Sequence, residues 1–233
     1  MNTRKSSFLI LAVLLGAITA SAYAKKQELP EVTSDGLHRV PDSKLAVVYA
    51  EPGANLNPYH RVNLLDAYVA FKKNWARDQR SRSAQALRVT SNDVEKIKEA
   101  LSVEFNKVFR NALLDAGYEL TEETADDVMI VRPAVINLDV NAPDTMSAGR
   151  STTYTSSAGE MTLYIELYDS VSGDIIAKAL DRRVDNRNAG FYTWANSVSN
   201  RAAADRILKG WADILVDALN EAKAYDADSG DGS

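Results

Sequence analysis

The alternation of apolar and polar residues is clearest from position 159 to 185. There Met161, Leu163, Ile165 and Leu167 interleave with Thr162, Tyr164, Glu166 and Tyr168. A period of two marks a strand with one face buried. Val171, Ser172 and Gly173 then fit a three-residue hairpin loop with its glycine in the left-handed region, closed by Ser170 and Asp174. Counting outward sets Leu167 against Ala177 and Ile165 against Ala179. On the opposite face it sets Glu166 against Lys178, an opposite-charge pair that supports the register. The two small alanines leave room for a helix on the inner face, and Trp211 is the large residue expected to fill it.

The same patterning divides the rest of the chain. Residues 45–49 read as a strand ended by Glu51-Pro52-Gly53, and Asn55-Leu56-Asn57-Pro58 reads as a second turn. Residues 61–71 carry apolar side chains on both parities, which predicts a central strand covered on both sides for part of its length. Over residues 92–116, Val94, Ile97, Leu101, Phe105, Val108, Phe109, Ala112 and Leu113 recur at helical spacing. Asn92 with Glu95 is the expected cap and Gly117 the expected stop. Residues 128–140 form a long strand whose internal Pro133 predicts an edge position or a bulge there. Residues 142–158, rich in Ser, Thr, Gly and Ala, read as a mobile hairpin tip or disordered loop. Ser199 is the expected cap of a last helix with Ala203, Ile207, Trp211, Leu215, Ala218 and Ala222 on one face. The sum is an α/β fold of the α+β type: a single mixed, mostly antiparallel sheet with two long helices packed on one face.

Outside that domain, composition assigns an address. Arg4 and Lys5 precede an apolar run at residues 8–20, and Ala22-Tyr23-Ala24 is a small-residue cleavage site. The run is shorter than the about 20 residues a membrane span needs. We therefore read residues 1–24 as a signal peptide cleaved after Ala24, residues 25–44 as an extended arm and residues 45–225 as one α/β domain. Residues 226–233 read as a disordered acidic tail. The chain's formal charge is −5, and removing the segment with its two basic residues makes it −7. Net acidity argues against nucleic acid as a partner. There is no cysteine. Disulfides, thiolate zinc, a thiol nucleophile and a lipoprotein anchor are all excluded by that, and the expected location is the periplasm.

Motifs of known chemistry are missing. His38 and His60, the two histidines, stand in turn regions without a His-x-x-x-His spacing, and no Gly-x-Ser-x-Gly, Ser-x-x-Lys or phosphate-cradling glycine loop occurs. No catalytic residue, metal site or cofactor is expected. Glu122, Glu123, Asp126 and Asp127 lack the spacing of a calcium loop. Two stretches are candidate interaction surfaces. Residues 72–88 hold six basic residues and one acid around Trp75, with Arg77, Arg80 and Arg82 foremost; the competing reading is a solvated basic helix. Phe191, Tyr192 and Trp194 lie in a loop of small and polar residues, where aromatics anchor a partner or lid a core. Asp181 and Arg183, two apart on one strand face, are expected to form a structural ion pair.

Several pieces in order resemble a known family of bacterial envelope proteins, domain of unknown function 3313. They are Tyr49-x-x-Pro52-Gly53-Ala54-Asn55-Leu56, Tyr59-x-x-Val62, Trp75, Val131-Arg132-Pro133-Ala134, Asp169-x-x-x-Gly173, Asp181-Arg182-Arg183 and Trp211-Ala212. The resemblance implies a secreted α/β domain and brings no assigned catalytic residues. Many members of the family look like lipoproteins, which this chain, lacking the cysteine, does not. The expected function is a non-catalytic interaction or accessory protein of the cell envelope, with an envelope protein or cell-wall component as partner. The alternative is an envelope hydrolase acting on a cell-wall or glycan substrate through paired carboxylates, Asp169 and Asp181 being generic candidates.

Overall fold

The computed structural model describes residues 29–82, 89–140, 154–155, 159–184, 193–194 and 197–229. Among them the chain runs β1 (His38–Arg39), β2 (Val47–Ala50), β3 (Arg61–Leu64), β4 (Tyr68–Phe71), α1 (Trp75–Arg82), α2 (Ser91–Asp115), β5 (Glu119–Leu120) and β6 (Val128–Val140). It continues through β7 (Tyr154–Thr155), β8 (Gly159–Asp169), β9 (Ile175–Val184), β10 (Thr193–Trp194) and α3 (Ser197–Ser229). Eight strands make one mixed sheet in the order β1-β2-β9-β8-β6-β3-β5, with β4 also on β6. Strands β7 and β10 pair as a separate antiparallel ribbon, so the segment expected to be a loop contributes a short strand.

The hairpin β8–β9 adopts the expected register: Leu167 faces Ala177, Ile165 faces Ala179 and Glu166 faces Lys178. Its loop is closed one residue earlier than expected. Asp169 N–H donates to the Asp174 carbonyl and Gly173 N–H to the Asp169 carbonyl, and Gly173 has φ 74°. A bulge between Leu167 and Tyr168 absorbs the extra residue, since Tyr168 pairs with Ile175.

Strand β6 is the spine of the sheet, antiparallel to β8 on one side and parallel to β3 and β4 on the other. Pro133 is therefore interior, contrary to the edge expected of it. The Val131 carbonyl accepts from Leu65 N–H on the β3 side, so the missing N–H of Pro133, two residues on, points the same way. It points at the place where the partner strand is broken. Residues 61–71, expected as one strand, split into β3 and β4, with one residue gained between the pairs Leu64–Val131 and Tyr68–Ala134. Helix α2 stitches the break: Ser102 Oγ donates to the Ala67 carbonyl (2.9 Å) and Asn106 Oδ1 accepts Ala67 N–H (3.3 Å). The bulge in β6 itself comes later, between Ile136 and Asp139, with Asn137 at φ 52°.

Both long helices cover the same face. Helix α2 begins before the expected cap, at Thr90, whose hydroxyl accepts Asp93 N–H while Asp93 accepts Thr90 N–H. It ends in a Schellman turn, with Gly117 N–H to Leu114 O, Tyr118 N–H to Leu113 O and Gly117 at φ 87°. Leu101, Phe105, Val108, Phe109 and Leu113 of its stripe are buried. Helix α3 starts at Ser197 and continues through Ser229, so the first four residues of the expected tail are helical. It buries Ala203, Ile207, Leu208, Trp211, Ala212 and Leu219, whereas Ala218 is exposed. The buried side chains of α2 join Ile207, Leu208, Trp211, Ala212 and Leu219 of α3 and Val131, Val135, Met161, Leu163, Ile165 and Ala179 of the sheet in one core cluster. Among the described residues the opposite face of the sheet carries no helix. Part of it is covered by the arm: Leu37 is buried, the Tyr49 hydroxyl donates to the Pro30 carbonyl and Lys178 pairs with Asp35 at 2.6 Å.

Candidate functional site

Of the side chains named by the sequence, Trp75, Asp169 and Asp181 are structural. Trp75, expected at the surface, is 3 % exposed; its ring stacks on Phe71 at 4.1 Å and its indole N–H reaches the Val140 carbonyl at 3.3 Å. An indole needs both an apolar slot and an acceptor, and the end of β6 supplies both. Trp75 is thus an anchor of α1 and not an interaction residue. Arg77 is exposed and lies 3.4 Å from Asp78. The side chains of Arg80 and Arg82 lie outside the described residues, as do Phe191, Tyr192, the side chain of Trp194 and the cleavage-site residues Ala22 and Ala24.

The expected Asp181–Arg183 ion pair is present at 2.9 Å, with Asp181 buried and Arg183 partly exposed. Asp181 also accepts the Trp211 indole N–H at 2.7 Å and Ala46 N–H at 3.1 Å. It is the polar pin joining α3, β9 and the start of β2. Asp169 holds the hairpin tip, accepting N–H from Val171 (2.9 Å) and Ser172 (2.7 Å) and the Tyr59 hydroxyl (2.8 Å). Hydrogen bonding from the Ser172 backbone, together with Tyr59, keeps its carboxyl below the ordinary range despite burial. Burial and the Asp169 carboxylate raise the Tyr59 phenol to about 12. Asp181 lies opposite Leu163, six positions along β8 from Asp169, which separates the two acids by roughly 20 Å. They do not converge.

The acidic loop ahead of β6 is used internally. Arg61 forks onto Asp127 through Nε (2.8 Å) and Nη2 (2.7 Å) and reaches Glu123 with Nη1 (2.7 Å). That fork holds the Asp127 carboxyl below its usual range. Among the described residues no group of three or more His, Cys, Asp or Glu could hold a metal ion. A cleft of about 490 Å³ lies at the β3–β5 edge beside Asn63, Asp66, Arg110 and Glu122. Asp66 there is engaged by the Asn106 amide.

The feature left over is the helix-free face of the sheet. Tyr68 pairs with Ala134, Ala134 with Tyr164 and Tyr164 with Leu180, one row across four strands. Ala67 and Val69 point into the core, so Tyr68 points outward, and it is 67 % exposed; Leu180 is 37 % exposed. The adjoining row is polar. Glu166 is only 6 % exposed and accepts from the Tyr164 hydroxyl and from Arg132 Nε at 2.7 Å. Arg132 also donates to the Tyr168 hydroxyl (2.9 Å) and lies over that ring at 5.1 Å. Burial on its own would raise the Glu166 carboxyl, but the hydrogen bonds from Tyr164, Arg132 and Tyr168 outweigh it and hold the carboxyl below the ordinary range. Burial and the Glu166 carboxylate raise the Tyr164 phenol well above its usual value. Sequence reasoning identified the outward parity of Tyr164, Glu166 and Tyr168 but not Arg132 or Tyr68. Their place depends on the pairing of β6 and β4, which no local pattern states.

The molecule is thus an α/β domain with both long helices on one side of a mixed sheet. The face on the other side carries Tyr68 and Tyr164, is partly covered by the arm and, among the described residues, has no helix. The chain belongs to the family described as protein of unknown function (DUF3313), whose model matches residues 31–215. No curated protein matches it. Among solved structures it is similar to protein XCC0632 from Xanthomonas campestris, of the DUF330 family, at 13 % identity and TM-score 0.42, covering 77 % of this chain and 93 % of that one. It is also similar to the PelC dodecamer from Paraburkholderia phytofirmans, at 12 % identity and TM-score 0.33, covering 70 % and 96 %. A DUF4136 family protein from Bacteroides thetaiotaomicron matches at 12 % identity and TM-score 0.27, covering 77 % and 94 %.

Proposed function

We propose that this chain is a non-catalytic interaction protein of the bacterial cell envelope, exported to the periplasm by the segment ending at Ala24, and that it works through the bare face of its sheet. The observation that carries the reading is the row Tyr68–Ala134–Tyr164–Leu180, aligned by backbone pairing and uncovered by either helix. An aromatic at 67 % exposure on the outward face of β4, whose one partner among the described residues is β6, contributes nothing to the core and is suited to contact. The acids named for a hydrolase are committed elsewhere, Asp181 to Trp211 and Asp169 to the hairpin tip. The test is site-specific photocrosslinking in cells. A photoreactive residue at position 68 should give a discrete adduct that Leu180→Asp abolishes, and one at exposed Lys107 on α2 should not. Adducts of equal yield from both positions, or adducts from position 68 that survive Leu180→Asp, would show that the bare face is not the contact surface.

A further inference from the structure

The bare face has a chemistry that narrows its partner. Among the described residues its strand cations have acids beside them: Arg132 with Glu166, Lys178 with Asp35, Arg182 with Glu160, and Lys72 with Asp139. The platform is therefore close to neutral, in a chain that is acidic as a whole. A polyanion such as nucleic acid or an anionic lipid surface finds no surplus cation there to release counterions. A second copy of the chain is a poor fit on size. Three strand steps by about ten residues come to roughly 500 Å², short of the about 800 Å² each partner contributes to a standard stable interface. What the face does offer is aromatic side chains, exposed Tyr68 and half-buried Tyr164, beside fixed polar groups. Tyr68 and Tyr164 stand two strand steps apart, roughly 10 Å, comparable with the length of a disaccharide. Beside them, two positions along the strands, the Arg132–Glu166 pair is already locked in place by Tyr164 and Tyr168, so a ligand meets polar groups that need no reordering.

We infer that the tyrosine row is a binding platform for a neutral pyranose glycan, one sugar ring lying on Tyr68, a second near Tyr164, and the hydroxyls between them meeting Arg132. The apolar face of a pyranose ring and the face of a tyrosine bury one another, while the ring's equatorial hydroxyls remain free to hydrogen-bond. This rests on the reading of the bare face as the contact surface.

The purified full chain is titrated by calorimetry with chitohexaose, cellohexaose and maltohexaose. The expected result is saturable binding of at least one, insensitive to salt, weakened about tenfold or more by Tyr68→Ala and retained by Tyr68→Trp. Tyr68 is exposed, so the alanine variant should keep the wild-type thermal transition, which the same samples check. No saturable binding of any of the three overturns the proposal, as does equal binding by Tyr68→Ala. Binding only of an anionic polymer such as polygalacturonate, lost in salt, overturns it in favour of a charge-driven surface. A concentration-dependent dimer broken by Tyr68→Ala overturns it in favour of self-association. If the position-68 adduct in cells still depends on Leu180 while all three glycans fail to bind, the glycan assignment falls and the interaction surface stands.

Discussion

Glu166 shows how a single side chain can be stabilising and costly at once. Its carboxylate is almost removed from water, which favours the neutral form, yet Arg132, Tyr164 and Tyr168 all direct hydrogen-bond donors at it. The charged form wins, so the folded-state pKa lies below the ordinary glutamate value of 4.5. A depressed carboxyl contributes stability that is fully present above the unfolded value and is lost as pH falls through the folded one. Glu166→Gln should therefore lower the denaturant midpoint at neutral pH by the equivalent of about 1–3 kcal/mol, since it leaves the Arg132 charge without its counter-ion. The gap to wild type should close as pH falls below the ordinary glutamate value of 4.5 and through the depressed folded one. A gap that stays constant across that range would mean the carboxylate's charge is not what holds the cluster.

Asp181 and Asp169 make the complementary point. Both belong to the pieces that carried the family resemblance, as do Tyr59, Trp75 and Trp211, and each of them holds the fold. Tyr59 bonds Asp169, Trp211 bonds Asp181 and Trp75 bonds the end of β6. Residues with polar tips and large apolar bodies must be placed with both needs met, so their spacing is constrained by architecture before any ligand is considered.

Among the elements, the β8–β9 hairpin offers the sharpest contrast between two neighbouring positions. Ala179 is buried in the core cluster with Trp211, while Lys178 sits on the other face and pairs with Asp35 of the arm. Ala179→Leu inserts atoms where α3 already lies close and should cost about 1–3 kcal/mol. Lys178→Ala removes one partly exposed ion pair and should cost about 0.2–1 kcal/mol. Urea midpoints of the two variants should differ clearly, with the leucine variant lower; equal midpoints would mean that Trp211 does not close on this pair of strands.

The register of that hairpin was legible because its period and its turn agree on it. Glu166 and Lys178 face each other as expected, but their ion pairs go elsewhere, Glu166 to Arg132 and Lys178 to Asp35. The hairpin's closure was not legible, because the bulge at Leu167–Tyr168 has no local signature. The helices were legible from their apolar stripes, although the cap on α2 lies two residues before Asn92: Thr90 and Asp93 satisfy each other's groups as well as Asn92 and Glu95 promised to. The division of residues 61–71 into two strands escaped notice, because what breaks them is Ser102 and Asn106 of a helix some 35 to 40 positions away. The bare face is the extreme case. Tyr68, Arg132, Tyr164 and Leu180 come from four strands, and only the completed sheet puts them side by side.

On the scale of the whole molecule, α2, α3 and the inward parity of every long strand contribute to one hydrophobic cluster. Helix α1 joins it through Trp75 and Phe71, and the arm closes the other side through Leu37 and Tyr49. A chain with a single core of this kind should unfold in one cooperative step. Two tryptophans report on distant parts of it, Trp75 at the end of β6 and Trp211 where α3 meets β9. Variants retaining only one of the three tryptophans, made by replacement with Phe, would isolate each signal. Their fluorescence midpoints in urea should each coincide with the loss of helical circular dichroism measured on the same variant. If the Trp75 signal moved well before the helices melted, α1 and the strand end beneath it would be a separate, weaker unit. The bare face, which shares strand β6 with that unit, would then be only as rigid as its least stable edge, and a ligand bound there should raise the Trp75 midpoint selectively.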